Sequence, residues 1–124
     1  MRNYFTIFLL LLIACKISKF VYDPSKDGGK VFPKGTRILS DTLGVRLYEV
    51  TLLPGDTVPL HNHPDHIFYV VQGGKVALYM NGGERMEGEM MNGEGFVHGP
   101  VLDKGINIGN TAIKFIVADI YRPR

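Results

Sequence analysis

The sequence predicts an all-β fold, a sandwich or a barrel, on three observations. From Arg37 onward, extended runs recur about every ten residues with turn signals between them. Fifteen glycines and seven prolines in 124 residues supply those turns. Beyond the N-terminal apolar run, no stretch shows the apolar spacing of a helix. The length suits one domain with a real hydrophobic core. A chain 45% hydrophobic and 21% charged has the composition of a globular protein rather than a disordered one. Its formal charge of +2 is too small to point to nucleic acid.

In chain order, Met1-Arg2-Asn3 precedes an apolar run from Tyr4 to Ala14, then Cys15 and a basic stretch with Lys16 and Lys19. That run is short of the roughly 20 residues that span a bilayer and has the length of a secretory signal. Its end, Leu12-Ile13-Ala14-Cys15, resembles the bacterial lipobox. The resemblance implies a signal peptide over residues 1–14, removed before a lipidated Cys15. A lone cysteine has no internal disulfide partner, which agrees with a lipid on its sulfur. An ordinary cleaved signal, an uncleaved anchor and a buried core strand are the alternatives. On the lipoprotein reading the chain is exported and lipid-anchored to a bacterial membrane, with its domain in the periplasm or at the cell surface. Residues 15–34 then form the tether. They carry Asp23-Pro24, Asp27-Gly28-Gly29 and Pro33 but little apolar periodicity beyond Phe20-Val21-Tyr22.

Residues 35–124 form the expected domain. Val45 to Leu53 is a long strand with Val45, Leu47 and Thr51 on one face and Arg46, Tyr48, Val50 and Leu52 on the other. Pro54-Gly55-Asp56 closes it. Thr57 to His63 is the next strand, and His66 to Gln72 a mostly apolar one. Lys75 to Met80 leads to Asn81-Gly82-Gly83, a hairpin signal. Glu84 to Met91 alternates irregularly, Asn92 to Gly95 turns, and Phe96-Val97-His98 is short before Gly99-Pro100. Leu102-Asp103-Lys104-Gly105 reads as a solvated turn. Thr111 to Ile120 ends the domain with Ile113, Phe115 and Val117 on one face.

Three of the four histidines fall in one run, His61-Asn62-His63-Pro64-Asp65-His66. His61 and His63 are two apart, so on a strand their rings point to the same side. A turn at Pro64-Asp65 would bring His66 back beside them, and converging imidazoles are what a divalent-metal pocket needs. Polar residues bonded to backbone or water are the alternative for the pair.

Gly55, five residues, then His61-x-His63, with Gly73 six residues beyond His66, resembles the first motif of the cupin superfamily. The run His-x-His-Pro-Asp-His-Ile-x-Tyr-Val-Val-x-Gly-Gly resembles small single-domain bacterial cupins carrying this histidine variant. The spacer after His63 is one residue short, and His66 stands where the family has glutamate. The likeness covers about residues 37–120 and implies a double-stranded β-helix (jelly-roll) barrel with an internal pocket. The second motif is degraded. Gly93 and Asn107-Ile108-Gly109 sit at its ends, Gly99-Pro100-Val101 replaces its turn, and its histidine falls on Asp103.

The resemblance implies a divalent transition metal held by His61, His63 and His66, with Asp103 as a weak fourth. It does not distinguish iron, manganese, zinc, nickel or copper. Alternation puts Phe68 and Val70 inward if His66 is, and Tyr48, Phe96 and His98 join them as pocket-lining candidates. Met80, Met86, Met90 and Met91 would fill either an apolar mouth or the core. A small-molecule ligand is the expected partner, with the lipid anchor at the membrane and a homodimer through edge strands as a further expectation. The rivals are a metal-free binding module and a structural cupin without catalysis. The resemblance leaves it open whether the protein is an enzyme.

Overall fold

The computed structural model describes residues 22–31 and 34–123. The signal-peptide reading and Cys15 fall outside them. Among the described residues, nine strands follow a 3-10 turn (Pro24–Lys26) and a single helical turn, α1 (Gly28–Val31). They are β1 (Thr36–Thr42), β2 (Val45–Leu52), β3 (Thr57–His63), β4 (Asp65–Gln72), β5 (Gly74–Met80), β6 (Met86–Met90), β7 (Gly95–His98), β8 (Val101–Asn107) and β9 (Ile113–Ile120). Among the described residues, no helix is long and apolar enough to cross a membrane.

Two antiparallel sheets carry these strands, one in the order β1-β2-β9-β4-β7 and the other β3-β8-β5-β6. The turns follow from local chemistry. Pro54 presets its own φ, and Gly55 takes φ 85°, so Leu53–Asp56 closes with the Asp56 amide on the Leu53 carbonyl. Asn81 and Gly82 both have positive φ, the geometry whose twist matches a two-residue hairpin, and β5 pairs with β6 across them. The inner faces bring Tyr48, Val50 and Leu52 of β2 against Ile113, Phe115 and Val117 of β9 and Val76 of β5. This is the alternation expected from sequence for β2 and β9.

Two breaks in regularity position the site. Val58 pairs with Gly105 and His61 with Asp103, so β3 spends three steps where β8 spends two. The extra residue is a bulge at Pro59-Leu60, where proline has no amide hydrogen to give the ladder. Strict alternation would put Val58 and His61 on opposite faces, and the bulge turns both inward. At Pro64 the chain leaves the four-stranded sheet for the five-stranded one. That change of sheet lets His63 and His66, three residues apart, both face the interior.

The stretch read as a solvated turn is strand. Residues 102–105 lie in the middle of β8, which pairs with β3 on one side and β5 on the other. Two full ladders outweigh the local turn preference of Asp-Lys-Gly. Residues 22–31 pack on β3: the Asn62 amide donates to the Asp23 carbonyl at 2.7 Å, and Asp27 is buried, paired with Arg46 and accepting from Tyr121.

Candidate metal centre

His61, His63 and Asp103 meet on the inner face of the four-stranded sheet. His61 and Asp103 are direct cross-strand partners, so register rather than side-chain length brings the carboxylate to the ring. Nε2 of His61 lies 2.7 Å from Nε2 of His63 and 3.3 Å from Oδ1 of Asp103. The three donor atoms all lie within 4.8 Å of one another.

The opposite ring nitrogens are all engaged. Nδ1 of His61 is 2.7 Å from the Pro59 carbonyl, and Nδ1 of His66 is 2.9 Å from the Pro64 carbonyl. A carbonyl oxygen only accepts, so both nitrogens carry hydrogen and both Nε2 atoms keep a lone pair. Nδ1 of His63 donates to Asp119 Oδ1 at 2.7 Å, and Tyr48 donates to the other oxygen of Asp119 at 3.0 Å. The Nε2 atoms of His61 and His63 therefore face each other lone pair to lone pair, with a carboxylate oxygen alongside. Such a contact is repulsive unless a cation or a proton lies within it. A His/His/Asp cluster of this kind could hold a metal ion. Ligands about 2.0–2.1 Å from a tetrahedral zinc sit roughly 3.3 Å apart, which matches His61 and Asp103 and asks the two nitrogens to part by about half an ångström.

Electrostatics separates the rings. Burial pushes His61 below its ordinary pKa, with the nearby His63 adding to that and Asp103 opposing it. Burial likewise lowers His66, against the Pro64 hydrogen bond. Burial also works against charge on His63, but the hydrogen bond and charge of Asp119, reinforced by Asp103, overcome it and raise that pKa. The Tyr48 hydroxyl is raised by burial and by Asp119, so it remains a donor.

The cluster sits at one end of a cavity of about 120 Å³ between the sheets. Of the residues predicted to line it, Tyr48, Phe68, Phe96 and His98 do so. Val70 does not: it is buried on the same face but sits in the core away from the cavity. Met80 and Met90 border it, whereas Met86 and Met91 are exposed. His66 borders it with its ring stacked on His63 at 4.6 Å, yet the three convergent donors are His61, His63 and Asp103. His98 is exposed at the mouth and bonded to the Gly99 carbonyl. The sequence reading missed Asp119. It continues the inward series Ile113, Phe115, Val117 and is fully buried, so alternation carried one step further would have found it.

No protein-family model matches the sequence, and no curated protein does. Solved structures do match. A cupin domain from Bordetella pertussis Tohama I superposes with TM-score 0.64 at 19% identity, over 70% of this chain and 92% of that one. The fold is the cupin fold. A cupin-like protein from Thermotoga maritima MSB8 agrees at TM-score 0.57 and 18% identity, covering 69% of this chain and 67% of that one. A conserved double-stranded β-helix protein from Klebsiella pneumoniae agrees at TM-score 0.60 and 16% identity, over 72% and 76%. In this cupin barrel the paired sheets supply the cavity, and β3 and β8 supply the donors.

Proposed function

We propose that this cupin-fold protein binds one divalent metal at His61, His63 and Asp103 and a small molecule in the cavity beside it. One observation carries the reading. Every Nδ1 hydrogen of the three clustered histidines is already given to an oxygen, which leaves two Nε2 lone pairs and a carboxylate converging. His66, with its own Nε2 uncommitted to Pro64, is the proposed further ligand or an outer hydrogen-bond donor. A bound ion would supply positive charge to an oxygen-bearing ligand. The chain's own residues then divide the work. Asp119 and Pro59 orient the rings, Tyr48 braces Asp119, and the apolar walls exclude water.

Zinc titration of the metal-stripped full chain tests this. The expected result is one site per chain, with affinity reduced at least tenfold by Asp103→Ala and by His61→Ala. A second reading is a metal-free binding module. The raised pKa of His63 favours it, since a proton on that ring can fill the same contact. Zinc uptake unchanged by either variant would leave that second reading standing.

We also propose export with a lipid on Cys15, supported by Leu12-Ile13-Ala14-Cys15 after an apolar run. Intact-mass measurement on membrane-extracted protein should give a chain that begins at a lipidated Cys15. A chain starting at Met1, or a soluble form beginning beyond Cys15, contradicts it.

A further inference from the structure

The cavity wall has a sharply uneven chemistry. Its polar lining side chains are Tyr48, the four histidines and Asp103. Among the described residues that line it there is no lysine, arginine, serine, threonine, asparagine or glutamine. Elsewhere the wall is apolar, with Phe68 stacked between Phe96 (5.0 Å) and Phe115 (4.8 Å) and Met80 and Met90 on the opposite sheet.

A sugar needs hydrogen-bond partners around its whole rim, and burying unpaired hydroxyls is costly. A phosphate or dicarboxylate carries charged oxygens beyond the one that the metal cluster could meet, and no lysine or arginine lines the rest of this wall. An apolar cavity near 150 Å³ lined by leucine, isoleucine and phenylalanine holds one benzene, so about 120 Å³ limits the guest to a single ring at most. Aromatic rings, by edge or by face, and thioether sulfurs both favour an aromatic guest.

We infer that the cavity takes a molecule of one aromatic ring carrying one oxygen group, with its ring toward Phe68 and Met90 and its oxygen toward His61, His63 and Asp103. The inference rests on the metal reading for what meets the oxygen, while the ring site rests on the walls alone.

The test is calorimetric titration of the zinc-loaded full chain, its zinc content measured first, with phenol and separately with glucose. Phenol should bind saturably at one per chain, and glucose at least tenfold more weakly. Met90→Trp, placed on the largely exposed strand β6, should fill the cavity and weaken phenol at least tenfold while zinc content stays unchanged. Phe96→Ala at the mouth is the second variant and should weaken phenol severalfold without loss of zinc. A zinc-loaded protein that ignores phenol, or takes glucose equally well, overturns the inference and leaves the metal reading intact. A chain that takes up no zinc removes the metal reading and the oxygen's partner, and if that chain also fails to bind phenol the ring site falls with them.

Discussion

Asp119 decides which nitrogen of His63 is free. Its carboxylate holds the Nδ1 hydrogen at 2.7 Å, and Tyr48 holds the carboxylate. Asp119→Asn keeps the size but removes the charge that fixes this tautomer, so zinc affinity should fall about 10- to 100-fold, the usual cost of losing an outer-shell carboxylate. The same charge sets a pH dependence. His63 has its folded pKa raised, so its proton stabilises the metal-free fold fully below the unfolded value of about 6.5. That contribution is lost as pH rises through the raised value. Zinc must displace this proton, so zinc-induced stabilisation should grow as pH rises through that raised value in melting curves recorded with and without the metal. In Asp119→Asn the growth should begin at lower pH. A zinc effect that is flat with pH would contradict the proton competition.

At the scale of elements, β3 and β8 make the donor set and the segment 22–31 closes over it. Gly28 and Val31 border the cavity, while Asp27 ties this segment to Arg46 and Tyr121 and accepts from Tyr22 within it. Asp27→Ala removes the charged acceptor of three part-buried hydrogen bonds and should cost about 1–3 kcal/mol, with faster amide hydrogen exchange confined to residues 22–31 if the strap loosens first. Uniform loss of protection across β2 and β9 would contradict that local role. Legibility in the sequence also varied by element. Alternation gave the inward faces of β2 and β9 because apolar side chains at period two leave one way to pack. Strand β8 was hidden because Asp103, Lys104 and Gly105 carry local turn preferences, and only their two neighbouring ladders make them strand. Asp119 was hidden by its charge, since a strand face was read from apolar residues alone. The Pro-x-His repeat, Pro59 to His61 and Pro64 to His66, was in plain view, but its meaning needed the carbonyl geometry.

For the whole molecule, two sheets enclose one apolar cavity whose polar end is a cluster of imidazoles and a carboxylate. The first half of the histidine motif, with its glycine turn, was enough to expect this barrel. Sequence could not say that Asp103 would be the near partner of His61 and that His66 would stack on His63, because cross-strand register and a one-residue bulge decide both. Metal analysis of the full chain purified without an affinity tag tests most directly whether this cluster is a metal site. Near one equivalent of a divalent metal per chain, lost in His61→Ala and in Asp103→Ala while the melting transition remains cooperative, is the predicted result. Protein with no bound metal, which takes none up on addition and whose stability His61→Ala leaves untouched, would contradict it.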